Sequence, residues 1–240
     1  MFNNIILSPP FSNIYPQIKN TTKIVGTYTF KKRKGLHRVL TTLKKTENGW
    51  LNNVGLRNPG IENYNKKNSI ISISILEEGD FEKILYYLYY LKHEFNILGV
   101  EFNVSCPNHN VLQINEKIIQ DTNKFIGPTI IKVSHDINKD NLIKLCNLNS
   151  HFIHISNTKK TEDGALSGKD LQMRNIENIK LVKDLYPYKK IIAGGGIYSF
   201  YDLLSYKDAG AEFFSLSTVL LNPYKTYKII NQWSQYQKQN

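Results

Sequence analysis

Cysteine is nearly absent from this chain. The two present, Cys106 and Cys146, lie far apart in sequence and show no zinc-ligand spacing. Long hydrophobic runs are missing as well. Without a stretch of about 18 apolar residues, nothing is expected to span a membrane. The start, Met1-Phe2-Asn3-Asn4, lacks the basic head and long apolar middle of a secretory signal. A reduced, cytoplasmic setting is the expectation. Acidic residues are scarce: 20 Asp and Glu against 31 Lys and Arg give a formal net charge of +11. Such an excess can mark a polyanion binder. Here the lysines are scattered, with one dense cluster at Lys31-Lys32-Arg33-Lys34, and heavy use of Lys, Asn, Ile and Tyr matches AT-rich codons. Small anionic ligands are therefore expected in preference to nucleic acid.

The hydrophobic content, 41% of 240 residues, suffices for one sizeable core. Short apolar runs alternate with amphipathic segments. The runs are Ile5–Leu7, Lys23–Thr27, Ser69–Ile75, Gly99–Val104, Thr129–Val133, Phe152–Ser156, Lys190–Ala193 and Phe213–Leu216. Helical spacing occupies about 80–96, 112–125, 138–149, 172–186, 199–209 and the segment from about 223. Eight strands alternating with helices, unbroken by a linker, predict a single α/β domain over 1–240, a (β/α)8 TIM barrel. A doubly wound open sheet is the rival. The barrel is preferred because polar residues gather after nearly every strand, where barrel active sites are built.

The densest such cluster is Glu101-Phe102-Asn103-Val104-Ser105-Cys106-Pro107-Asn108-His109. It sets an ionisable thiol between two amides that can grip a polar, planar ligand. A buried cysteine before a turn proline is the plainer alternative. Ile191-Ile192-Ala193-Gly194-Gly195-Gly196-Ile197 runs a buried strand into three glycines and then a helix, so backbone N–H groups can approach an anion. Ser215-Leu216-Ser217-Thr218 ends the last strand and adds donors, which together form the phosphate site common after strands seven and eight. Alone, the three glycines fit a tight turn equally well. Lys132 within Ile130-Ile131-Lys132-Val133 either snorkels to the surface or faces a ligand inside the barrel. Ser156-Asn157-Thr158 presents polar groups at the same mouth. Gly49–Gly60 and Gly164–Gly168 are expected to be loops dense in glycine and amides. Cys146 fits a helix core, and Tyr86, Tyr87, Tyr89 and Tyr90 fit helix surface and packing.

These motifs together resemble the dihydroorotate dehydrogenase family, class 1 in particular. Asn-Val-Ser-Cys-Pro-Asn at 103–108 is similar to the family's base-bearing motif. Trp50–Gly60 resembles its Leu-Asn-x-x-Gly-Leu-x-Asn-Pro-Gly loop, and 164–168 its Gly-Gly-Leu-Ser-Gly loop. The segments at 194–197 and 217–218 look like its flavin-phosphate sites, and the likeness runs collinearly over about residues 24–225. It implies FMN in the barrel mouth and oxidation of dihydroorotate to orotate in pyrimidine synthesis. Cys106 would be the catalytic base. Asn52, Gly55, Leu56, Asn103, Asn108, Asn157 and Thr158 would hold the substrate. Lys132, Gly168, Gly194, Gly195, Gly196, Ser217 and Thr218 would hold FMN. No metal is expected. The resemblance further implies fumarate as an acceptor and a homodimer.

The chain departs from the family pattern in three places. Gly26 stands where the family carries a lysine that contacts flavin and substrate, and Lys31 or Arg33 is the expected substitute. Pro9-Pro10 replaces a small, donor-bearing segment at the end of the first strand. The segment after Cys106 is short for a closing loop, and there is little room before Lys23 for a first barrel helix. Two other functions remain open. A flavin reductase resembling the tRNA dihydrouridine synthases would show salt-sensitive tRNA affinity. A degenerate, non-catalytic flavin or interaction module would be indifferent to Cys106→Ala.

Overall fold

The computed structural model describes residues 2–35, 41–47, 49–53, 55–104, 114–156 and 158–239. Eight strands close into a parallel barrel in the order β1, β12, β11, β8, β7, β6, β5, β2. They are β1 (Ile5–Leu7), β2 (Thr21–Tyr28), β5 (Ser69–Ile73), β6 (Gly99–Asn103), β7 (Thr129–Val133), β8 (Phe152–Ile155), β11 (Lys190–Gly194) and β12 (Phe213–Leu216). The expected strands are all present, and the barrel prevails over the open sheet. In the first crossover a single 3-10 turn, Phe11–Asn13, stands in place of a helix, as the short sequence before Lys23 requires.

Strand composition explains the closure. Successive side chains point to opposite faces. One set, including Ile5, Leu7, Val25, Ile71, Ile73, Phe102, Ile131, Val133, Ile153 and Ile155, packs outward on the helices. The alternate set, Ile6, Ile24, Ile70, Ile130, Phe152 and Ile192, forms its own cluster inside the barrel. Each such buried side chain stabilises by about 1.5–3 kcal/mol.

The covering helices are α1 (Asp80–Phe95), α2 (Glu116–Phe125), α3 (Lys139–Cys146), α4 (Gln172–Leu185), α5 (Phe200–Asp208) and α6 (Pro223–Gln239). Polar caps set several of their starts. Asn115, Asn138 and Ser199 each accept a hydrogen bond from the backbone N–H three residues on. Asn96 ends α1 in the left-handed region. Cys146 closes α3 as a core residue, and burial pushes its thiol up to about 11. Trp233 of α6 packs edge-on against Phe214 of β12.

A second, four-stranded sheet corrects the expectation of two loops. It pairs β3 (Lys44–Thr46), β4 (Gly49–Asn52), β10 (Gly164–Gly168) and β9 (Lys159–Thr161) in that spatial order, all antiparallel. The first third of the glycine- and amide-rich segment at 49–60, Gly49–Asn52, and all of 164–168 are therefore ladder. Backbone pairing between Gly49–Asn52 and Ala165–Gly168 supplies hydrogen bonds that the local sequence does not advertise. The rest of the first segment is pinned through Asn58, whose amide donates to Thr29 Oγ1 and to the Leu56 carbonyl. Its Oδ1 accepts from the Thr29 and Gly60 N–H groups.

Candidate functional site

Where each inward strand passes its apolar layer, the side chains change character. Two residues beyond Ile6, Ile24, Ile70, Gly99, Ile130, Phe152, Ile192 and Phe213 stand Ser8, Gly26, Ser72, Glu101, Lys132, His154, Gly194 and Ser215. Apart from the two glycines all are polar, and all of the polar ones are buried. Of this layer, Ser8, Gly26, Lys132 and Ser215 line a pocket of ≈ 890 Å³ at the C-terminal ends of the strands. That volume lies within the usual small-molecule range of about 300–1,000 Å³.

The pocket has a basic rim and a glycine wall. Lys32, Arg57, Lys66 and Lys132 line it, and no carboxylate does among the described residues. The wall is Gly195 and Gly196, both at positive φ, +84° and +76°. A Cβ on Gly196 would lie 2.9 Å from the Gly168 carbonyl oxygen, and one on Gly195 3.0 Å from Asn175 Nδ2. Tyr206 donates its hydroxyl to the Gly194 and Gly195 carbonyls, and Asn175 Nδ2 donates to Gly194. In a trans peptide the following N–H points the other way. The Gly195 and Gly196 N–H groups are thus turned from Tyr206 toward the pocket side, an arrangement suited to an anion.

Of the expected substrate residues, Asn52, Gly55, Leu56, Asn103 and Thr158 line this pocket. Of the expected cofactor residues, Lys132, Gly195, Gly196, Ser217 and Thr218 do. Gly194 and Gly168 stand behind the wall, Gly194 against Ser156 and Ser215, and Gly168 against Gly196. The hydroxyls of Ser217 and Thr218 already have protein partners. Ser217 donates to the Pro9 carbonyl at 2.8 Å, and Thr218 Oγ1 accepts from Tyr198 at 2.8 Å. Cys106, Asn108 and Asn157 lie outside the described residues.

Gly26 is not a vacant lysine position. A Cβ there would lie 2.4 Å from the Ser72 carbonyl oxygen, at a φ of +128°. Asn13 clamps the same residue, donating to its carbonyl at 2.6 Å and accepting from its N–H at 2.8 Å. The β2–β5 register shifts between Val25 and Tyr28, and Thr27 comes to the pocket wall, where Asn103 Nδ2 donates to it at 3.1 Å. Lys31 does not take the lysine's place; it pairs with Glu77 at the surface. Arg33 is not among the lining residues either. Lys32 and Arg57 are, and Arg57 is steadied by donating to the Lys34 carbonyl.

Glu101 and His154 were not anticipated as site residues. His154 Nδ1 and Glu101 Oε2 are 2.6 Å apart, both side chains fully buried, and Ser72 donates to Glu101 Oε1 at 2.8 Å. Burial opposes charge on Glu101. The His154 ring, the Lys132 ammonium and two hydrogen bonds outweigh it and hold the carboxyl below its ordinary value. Burial, aided by Lys132, pushes the His154 imidazole below its ordinary value against the pull of Glu101. The pair therefore rests as carboxylate and neutral imidazole, with Nδ1–H donating. The signal for His154 was the one that marked Lys132: a lone polar residue at an inward position of an apolar strand.

A closed (β/α)8 barrel with a basic, glycine-walled pocket at its C-terminal face is the architecture of a small-molecule enzyme that binds anionic ligands. A sequence model described as dihydroorotate dehydrogenase matches residues 117–236. The chain belongs to that family of dihydroorotate-oxidising flavoenzymes. Its fold is similar to that of a DHODH from Eimeria tenella, solved in complex with ferulenol. The TM-score is 0.70 at 13% identity, over 98% of this chain and 81% of that one. At that identity the likeness speaks for the fold alone. No curated protein matches the chain. Among the described residues no helix is long and apolar enough to cross a membrane, and no group of three His, Cys, Asp or Glu could hold a metal.

Proposed function

We propose that the pocket binds FMN and that the chain oxidises dihydroorotate to orotate, with Cys106 as the base. The observation that carries this reading is the placement of Lys132, Asn103, Gly195 and Gly196 around one pocket. The glycine wall suits the phosphate: its N–H groups are turned toward the pocket, and a side chain at either glycine would collide with Asn175 and Leu171 or with the Gly168 carbonyl. Lys132 gives the floor a cation for the ring system. When bound, the flavin supplies the hydride acceptor, and the protein's task is to hold and orient.

Asn52 and Asn103 offer amides to a planar ring, with Asn103 oriented by its bond to Thr27. Lys32 and Arg57 at the rim take the role of the lysine displaced by Gly26, each worth about 1.5–3 kcal/mol to a bound carboxylate. Cys106, on its motif, takes the substrate C5 proton, and a thiol of lowered pKa beside amide donors is a workable base. Class 1 character, fumarate as acceptor, a homodimer and a cytoplasmic setting complete the reading and rest on the resemblance alone.

The test is the visible spectrum of the purified protein, recorded anaerobically before and after adding dihydroorotate. Bleaching of a flavin band in the wild type, and its loss or marked slowing in Cys106→Ala, is the expected result. A flavin band that dihydroorotate leaves unchanged would favour the non-catalytic module. The closed position at Gly26 is the observation on that side.

A further inference from the structure

The feature that the proposed chemistry leaves unused is the Glu101–His154 pair in the middle of the barrel. His154 Nε2 is buried and has no hydrogen-bond partner. An unsatisfied buried acceptor costs about 1–3 kcal/mol, which an apolar residue would avoid. The charged groups facing the ring are Glu101 from β6 and Lys132 from β7, while β11 sets Ile192 beside it. With Glu101 anionic and Lys132 cationic, this cluster is neutral while His154 is uncharged. Lys132 also lines the pocket. Once a phosphate, a carboxylate or a negatively charged ring occupies Lys132, Glu101 loses its counter-charge in surroundings where an uncompensated ion is expensive.

We propose that His154 takes up one proton when negative charge settles over Lys132, so that ligand binding and proton uptake are coupled through the Glu101–His154 pair. The ligand class is a flavin nucleotide whose reduced ring is anionic, and the inference rests on the reading of the pocket as a flavin site. The proton leaves a buffer acid in solvent, an N–H bond forms at Nε2, and no electrons are transferred. The resulting imidazolium replaces Lys132 as the partner of Glu101 and leaves cluster and ligand neutral together. Thr27, on the pocket wall, meets Ser72 at 3.2 Å, and Ser72 donates to Glu101, so the pair has a polar connection to the pocket.

Anaerobic calorimetric titration of reduced FMN, whose ring can carry the negative charge that the oxidised ring lacks, into the flavin-stripped protein near pH 7, in two buffers of different ionisation enthalpy, counts protons taken up per FMN bound. The wild type is expected to take up about one proton more than His154→Asn, which keeps an N–H donor toward Glu101 but cannot titrate. Equal counts overturn the proposal. Ring-nitrogen NMR of histidine-labelled wild type is the second readout, with one ring expected to pass from neutral imidazole to imidazolium as reduced FMN is added. If no histidine converts, the proposal fails whether or not the variant folds. Absence of FMN binding sinks the flavin reading and this inference with it. FMN binding without the proton or the conversion sinks the inference alone.

Discussion

The two layers inside the barrel, two residues apart along the same strands, obey opposite rules. The lower layer is Ile6, Ile24, Ile70, Ile130, Phe152 and Ile192, an unbroken hydrocarbon plug. The upper layer is serine, glycine, Glu101, Lys132 and His154, linked by Ser8–Ser215, Ser72–Glu101 and Glu101–His154 bonds. Packing of the plug holds the barrel shut. The upper layer adds little net stability, because its charges must first be desolvated. Stability and ligand chemistry are thus separated by a single pleat, and changes in the two layers should have opposite signatures.

The largest effect is expected in the plug. Phe152 packs against Phe2 and Phe213 within it, so Phe152→Ala should cost about 3–5 kcal/mol in urea unfolding, as a core truncation that leaves a cavity. FMN affinity of the fraction still folded should barely change. An equal loss of affinity would show that the layers are not separable.

The upper layer should respond to matching more than to content. Lys132→Met alone takes the cation from beside Glu101 and should cost up to about 3–5 kcal/mol, the loss shrinking as falling pH lets His154 take a proton in its place. Glu101→Leu, Lys132→Met and His154→Leu together should leave stability unchanged or raise it by about 1–4 kcal/mol. The same triple variant should lose flavin, read as the ratio of visible to protein absorbance after purification. A triple variant less stable than Lys132→Met would mean that the polar layer does support the fold.

Alternation made the barrel legible. Ile130-Ile131-Lys132-Val133 and its counterparts announce both faces, and the polar residues after each strand mark the C-terminal mouth. The second sheet was hidden because Lys44–Thr46 and Lys159–Thr161 are short, polar strands in tight hairpins with Gly49–Asn52 and Gly164–Gly168, and the two hairpins are joined by β4–β10 pairing across a long sequence gap. Gly26 was visible as a missing lysine but not as a clamped bend, since its partner is Asn13 on another element. Glu101 lay in plain sight within the most suggestive motif. Its partner was inconspicuous, because one histidine in Phe152-Ile153-His154-Ile155 gains meaning only when β6 and β8, on either side of β7, both turn these side chains inward.

The smallest effect, and the sharpest on the upper layer, is in pH. Burial lowers the His154 pKa from its ordinary value of about 6.5. As pH falls through that value the unfolded chain binds a proton that the folded chain refuses, so stability declines toward acid. Each refused proton contributes up to about 1.4 kcal/mol per pH unit, beginning near 6.5 and ending at the lower folded value. Glu101 is depressed too, but its contribution persists above its ordinary value near 4.3 and is lost only as pH falls through a still lower one. Between about pH 6.5 and 5 the slope therefore belongs to histidines. His135 and His151 are also lowered by burial and act in the same direction. The discriminating quantity is the difference between wild type and His154→Asn, measured on the flavin-free protein by urea unfolding across that window. A shallower decline in the variant places the refused proton on His154. Parallel curves would mean that the buried ring already carries its proton, and the upper layer would then be charged before any ligand arrives.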